Sequence, residues 1–239
     1  MDTIEQKENH QNVLFTFGRF QPPTIGHKVL IDFIASESAK LDGTDGYIFV
    51  SSTQNKQLRP KNIFESTKQN ENPLSVDVKV LYLKKMYPET SVKIINTTEC
   101  ECRTIFSIID KLKSAGYTGL TMAVGSDRVE SFKPLMSRVG VNVIAAGERV
   151  INASSNSVKA MSGTKMREAA VAGNVNAFKQ GVLIGSMTDT DAMELLNAVR
   201  SGLGYGPLVI GGSSSRKNRR IRIKTRRRKQ YRLRLEERT

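Results

Sequence analysis

Two rhythms of apolar residues alternate along this chain. Val13 to Phe17, Tyr47 to Val50, Val92 to Ile95, Leu120 to Val124 and Val141 to Ala146 are short, mostly unbroken runs, as expected of strands buried on both faces of a sheet. Between them, apolar positions recur every three or four residues. Leu30, Phe33 and Ile34 share a face in a helix from about 25 to 39, and Val76, Val80, Leu83 and Tyr87 do so in a helix that Ser75 caps and Pro88 stops. Ile105, Ile108, Ile109 and Leu112 mark a third helix, from 101 to 115, ended by Gly116; Val129, Phe132 and Leu135 mark a fourth. Strands separated throughout by helices predict an α/β fold, a five-stranded parallel sheet with helices on both faces.

Beyond residue 160 the strand rhythm stops. Ser162 or Thr164 caps a helix containing Met166, Ala169 and Ala170, and Leu195, Leu196 and Val199 lie on a helix from Asp189 to Arg200. The polar stretches Ser52 to Pro73 and Gly147 to Lys159 read as loops, the first long enough to suggest a functional one. Gly211 to Ser215 reads as flexible linker. The predicted organisation is a flexible N-terminus over 1–12, a domain over 13–202 that includes the C-terminal helices, a Gly/Ser linker over 203–215 and a disordered basic tail over 216–239.

Charge sharpens that division. The 239-residue chain carries a formal +14; residues 216–239 hold thirteen Lys and Arg against two Glu, a net +11, which leaves about +3 for the other 215 residues. Affinity for polyanions, nucleic acid included, is therefore expected of the tail and not of the domain. Tyr231 is the tail's single aromatic, so stacking on bases is not indicated. Cys100 and Cys102 stand too close in sequence for an ordinary unstrained disulfide and are too few for a structural metal site, so they are expected as reduced thiols. The first twelve residues are polar, and no run of eighteen apolar residues occurs. A soluble, cytoplasmic protein with no membrane partner is expected.

The chemistry concentrates after three strands. Gly18 to Lys28 is a Gly/Pro turn that opens a helix, with His27 in its first turn; unpaired backbone N–H groups and the helix dipole make such a place an anion site. Gly125-Ser126-Asp127-Arg128 follows the fourth strand and Ser162-Gly163-Thr164-Lys165-Met166-Arg167 the fifth. Ligands of open parallel sheets bind beyond the carboxyl ends of strands, where strand order reverses. The first and third elements together are therefore expected to hold a polyphosphate from two sides.

These elements resemble the nucleotidyltransferase superfamily marked by a (T/H)xGH signature. Thr24-Ile25-Gly26-His27 is that signature in its T-form, Ser162 to Arg167 looks like the second signature, ISSTxxR, and Gly18-Arg19-Phe20-Gln21-Pro22 is similar to the opening of nicotinamide-nucleotide adenylyltransferases. The span from Val13 to about Gly181 looks most like the cytidylyltransferase-like proteins of large phages and other DNA viruses. The resemblance implies a Rossmann-like (HUP-type) fold and transfer of CMP or AMP from a nucleoside triphosphate to a phosphorylated acceptor, with release of pyrophosphate. Magnesium would come bound to the substrate, with no metal site of the protein's own.

By the same resemblance, His27, Lys28 and Arg167 would be catalytic, His27 stabilising charge on the triphosphate. Gly18, Arg19, Phe20 and Gly26 would let the nucleotide approach, and Thr24 would donate to a phosphate. Ser162, Gly163, Thr164 and Lys165 would surround the β- and γ-phosphates with Arg167. Gly125 and Asp127 would meet a ribose or the acceptor, although Asp127 equally reads as a helix cap. Lys84, Lys85 and Arg103 join Lys28 as candidates for a further phosphate contact. Thr24 stands where nicotinamide-nucleotide enzymes carry histidine, so the resemblance does not assign that substrate. A binding protein that holds a nucleotide without turnover, fastened by its tail to nucleic acid or a virion interior, is the other reading. For a viral protein the location would be host cytoplasm or virion. No oligomeric state is assigned.

Overall fold

In the computed structural model, which describes residues 2–6, 11–54, 72–147 and 161–208, β1 (Gln11–Gly18) is the middle of the sheet. A short 3₁₀ turn, Ile25–His27, leads from it into α1 (Lys28–Lys40). Then follow β2 (Thr44–Val50), α2 (Val76–Met86), β3 (Lys93–Asn96), α3 (Ile105–Ser114) and β4 (Tyr117–Val124). A second 3₁₀ turn, Ser126–Arg128, opens α4 (Val129–Ser137), and after β5 (Val141–Ala145) come α5 (Gly163–Ala172), α6 (Val175–Val182) and α7 (Asp189–Gly202). The strands pair in the order β3-β2-β1-β4-β5, all parallel, with Phe15 opposite Tyr47 on one side and Met122 on the other. The expected α/β, Rossmann-like sheet is the one that forms.

Alternation along the strands divides the core into two layers. Val13, Phe15, Tyr47, Phe49 and Ile95 face α3 and α4, where Ile108, Ile109, Leu112 and Met136 meet them in one buried cluster. Fully burying a side chain such as Leu112 stabilises the fold by about 1.5–3 kcal/mol. On the other face α1 buries Ile31 and Ile34 and packs on β1 and β2. It comes close because Gly46 of β2 lacks a side chain: a Cβ there would lie 3.2 Å from an Ile34 methyl.

α3 begins four residues later than its periodicity predicts, because Thr104 caps it. Its hydroxyl accepts the Ser107 N–H at 3.1 Å, while the Ser107 hydroxyl accepts the Thr104 N–H at 3.0 Å. The residues just before are also corrected. Glu101 takes a left-handed backbone, φ 55°, which folds the chain back, brings the Cα atoms of Cys100 and Cys102 to 5.2 Å and leaves the two cysteines disulfide-bonded, not reduced thiols. Helix α6 is an addition to the sequence reading. Gly173, at φ 71°, ends α5, and the Asn174 side chain accepts the Ala177 N–H at 3.1 Å to start the next helix at once.

The helices after the sheet hold α5 in place. Arg200 of α7 donates to the carbonyls of Ala170 at 2.6 Å and Val171 at 3.2 Å, satisfying the C-terminal end of α5. Asp191 of α7 pairs with Lys85 at the end of α2. No helix among the described residues is long and apolar enough to cross a membrane. The chain separates into a compact unit, Met1–Pro207, and a second, Leu208–Thr239. The predicted tail, the 211–215 linker and most of the polar stretches 52–73 and 147–159 lie outside the described residues, as does His10.

Candidate active site

The chain leaves β1 toward β2 and β3, then returns to β4 and β5, so strand order reverses between β1 and β4. A cavity of about 660 Å³ opens there, at the carboxyl ends of these strands. Its wall includes Gly18, Arg19, Phe20, Thr24, Gly26 and His27 from the first turn, Gly125 and Asp127 after β4, and Ser162, Gly163, Thr164 and Arg167 from the start of α5. Three stretches, the second almost a hundred residues after the first and the third 35 after the second, thus meet at the predicted place.

The first turn is built around two rings. Phe20 adopts a left-handed backbone, φ 48°, rare for a residue with a large side chain. Its ring lies over Gly18, where a Cβ would fall 2.6 Å from a ring carbon, and against the His27 ring, centroids 4.8 Å apart. The imidazole is oriented from its other edge as well. The Thr24 N–H donates to His27 Nδ1 at 3.0 Å, making Nδ1 an acceptor and assigning the ring proton to Nε2. His27 is therefore held as an Nε2 donor in the cavity wall.

Thr24 has a different part from the one the resemblance implied. It is 1% exposed, and its hydroxyl donates to the Met161 carbonyl at 2.8 Å, so that hydrogen is committed away from a phosphate. Its own carbonyl accepts the buried Tyr87 hydroxyl at 2.8 Å. Burial, then the nearby Asp32 carboxylate, holds the Tyr87 phenol well above its ordinary range, so it stays a donor. Thr24 ties the turn to the residue before α5 and to the end of α2.

The second half is the N-terminus of α5. Ser162 caps it, its hydroxyl accepting the Lys165 N–H at 3.3 Å, and the first-turn N–H groups and dipole are directed at the cavity. Of the two caps left open by the sequence, Ser162 is the one used. Arg167 donates to the Gln21 carbonyl at 2.6 Å and to the Thr164 hydroxyl at 3.2 Å. Gly163 is required by this approach, since a Cβ would sit 2.7 Å from the same carbonyl.

Gln21 is the residue that sequence reasoning missed. It is buried, and its side-chain amide accepts the Leu74 N–H and donates to the Leu74 carbonyl, both at 2.9 Å, with a further donation to the Thr53 carbonyl at 3.2 Å. The first turn, the end of β2 and the approach to α2 are joined through it. Its place inside Gly-Arg-Phe-Gln-Pro was the available signal. Arg128, named in its element but given no role there, and Ser51 and Thr53 just beyond β2 also line the cavity.

Other predicted residues fall on either side of the boundary. Arg103 reaches the cavity; Lys84 pairs with Asp2 at 3.1 Å and Lys85 with Asp191, both outside it. Lys28 begins α1 and pairs with Asp32 one turn on, at 2.5 Å, and it does not line the cavity. Lys165 is exposed on α5 and is likewise outside the lining. Asp127 does not cap α4; its carboxylate folds over Gly125, where a Cβ would lie 2.6 Å away. Among the described residues, four arginines, 19, 103, 128 and 167, thus line the cavity with one carboxylate, Asp127, which suits a polyanion. No group of three metal-ligating side chains forms among the described residues.

The parallel order with a helix-opening turn after its central strand defines a Rossmann-like α/β protein. Among solved structures, nicotinic acid mononucleotide adenylyltransferase of Plasmodium falciparum shares this fold. Its complex with NaAD aligns at a TM-score of 0.51 and 14% identity, over 80% of this chain and 98% of that one. Its complex with APC aligns at 0.49 and 14%, over 80% and 98%. A Vibrio parahaemolyticus protein provisionally named a nicotinate-nucleotide adenylyltransferase aligns at 0.47 and 16%, over 78% and 99%. No family model and no curated protein matches the sequence.

Proposed function

We propose that this protein is a nucleotidyltransferase. In the reaction a phosphate oxygen of a small acceptor attacks the α-phosphorus of a nucleoside triphosphate, CTP or ATP. The bond from that phosphorus to the bridging oxygen of the β-phosphate breaks, and pyrophosphate leaves. One observation carries the reading: the His27 turn and the start of α5 face one cavity and are bonded to each other through Thr24 and Met161 and through Arg167 and Gln21. The resemblance of both stretches to the superfamily's signatures supports it, as does a fold shared with an adenylyltransferase.

Little covalent help is needed from the protein. Nε2–H of His27, the α5 N-terminus and Arg167 are preorganised donors where negative charge grows on the transferring group, and alignment of the two substrates does the rest. Thr24 and Gln21 hold these donors in place. Asp127, alone among the described lining residues in being a carboxylate, fits magnesium that arrives on the triphosphate and is held mostly by phosphate oxygens. Offered each of the four triphosphates with magnesium and acceptors such as glycerol 3-phosphate or a pyridine mononucleotide, the protein should release pyrophosphate. His27→Ala should lower turnover by roughly two to three decades; undiminished turnover would sink the role of His27, and no release with any pair would sink the enzyme reading. The net +11 of residues 216–239 favours a second property, attachment of the domain to polyanions.

A further inference from the structure

Lys79 is wholly buried in α2, which packs on β2 and β3, and its ammonium group donates to the carbonyl of Ser51, where β2 runs out into the cavity wall. A charge removed from water is among the most unfavourable groups a fold can contain unless an opposite charge accompanies it. No carboxylate pairs with Lys79 among the described residues. Those around α2 are engaged elsewhere: Asp77 accepts from Asn96, Asp2 pairs with Lys84, Asp191 pairs with Lys85, and Glu194 lies near Tyr82. Among the described residues, the charged group whose field reaches Lys79 is Arg19, another cation. Burial first, then that guanidinium, push the Lys79 amine down to about 8.

Arg19 lines the cavity, and Lys79 stands behind the same corner of its wall, reaching it through Ser51. The Ser51 N–H donates to the Gly18 carbonyl at 2.9 Å, and Arg19 follows Gly18 in the cavity wall. We propose that the counter-ion of Lys79 is the bound polyphosphate, and that Lys79 is a positioning residue which fixes the Ser51 carbonyl and lends positive charge to the β1–β2 side of the site. The proposal rests on the reading of this cavity as a polyphosphate site. Its direction is unusual for a buried residue. Without ligand, Lys79 destabilises the fold; with ligand, the new negative charge favours its protonated form, so binding above about pH 8 takes up a proton.

The test is calorimetric binding of inorganic tripolyphosphate to the full chain, which needs no turnover. For the wild-type protein, affinity should fall roughly tenfold or more between pH 7.5 and 9.5, with proton uptake at pH 8.5 visible across buffers of different ionisation enthalpy. Lys79→Met, and Lys79→Gln, which keeps a donor for the Ser51 carbonyl, should bind about tenfold more weakly at pH 7.5 and lose most of that pH dependence. Both should melt at higher temperature than the wild type when ligand is absent. A residue that merely supports the fold would move stability the other way. Wild-type affinity in Lys79→Gln, or no proton uptake by the wild type, overturns the proposal and leaves the reading of the cavity intact. A wild-type protein that does not bind tripolyphosphate overturns both.

Discussion

Arg167 donates to the main-chain carbonyl of Gln21 at 2.6 Å, across 146 residues of sequence. A guanidinium can hold that carbonyl and the Thr164 hydroxyl together and still present a further N–H to a ligand, whereas an ammonium cannot reproduce the planar fork. Arg167→Lys should therefore cut kcat/KM for pyrophosphate release by roughly 10²–10³, with the thermal midpoint little changed. Steady-state kinetics beside a thermal melt check both halves of this expectation.

Gln21→Ala should act on stability first. It leaves the Leu74 N–H and carbonyl without their partner, and each buried polar group so abandoned costs about 1–3 kcal/mol. Urea denaturation should show the loss. Gln21→Glu should be no remedy, because a carboxylate offers acceptors where the Leu74 and Thr53 carbonyls need a donor.

Asp191 sets an acid window. Lys85, then the Thr188 backbone and hydroxyl, hold its carboxyl down at about 2 from an ordinary value near 3.8. A lowered folded value means that its contribution is present in full above the ordinary value and is lost as pH falls through about 2. Asp191→Asn should melt below the wild type at pH 7, and the gap should close between pH 4 and pH 2. Melts across that range decide it; a gap that stays constant contradicts the assignment.

The tail makes a prediction about salt. Removing residues 211–239 should abolish retention on duplex DNA while leaving tripolyphosphate binding unchanged. In the full chain, log affinity for DNA should fall with log salt at a slope of roughly −0.9 for each phosphate neutralised. Filter binding over a salt series measures the slope, and DNA retention that survives the deletion would contradict the tail's part.

All five strands were legible because each is an unbroken or nearly unbroken apolar run, the form that burial on two faces imposes. The positions of His27 and of the Ser162–Arg167 stretch were legible for a related reason: each is a local pattern of helix start, the first directly after a strand. Gln21 and Tyr87 were not, since their roles lie in hydrogen bonds to backbone 53 and 63 residues away. α2 shows the limit of periodicity most directly. The pattern Val76, Val80, Leu83 and Tyr87 sets its inner face one residue off at Val80, whereas Lys79 is the residue buried there and Val80 is only half-buried. A lysine reads as solvent-facing in any hydropathy pattern, so its burial emerges only from the folded chain. Lys28 errs in the opposite way, placed one residue after His27 yet turned along α1 to Asp32.

The bond from Thr24 to Met161 has a consequence for when the site comes into being. A chain still being synthesised has the residues of all five strands once residue 145 has emerged. The pocket is not complete at that length: the Thr24 hydroxyl awaits a carbonyl at 161 and the Gln21 carbonyl an arginine at 167. Until residues 161 to 167 join it, the first turn lacks both of these partners, so a ligand that needs the two halves together can bind only the completed domain.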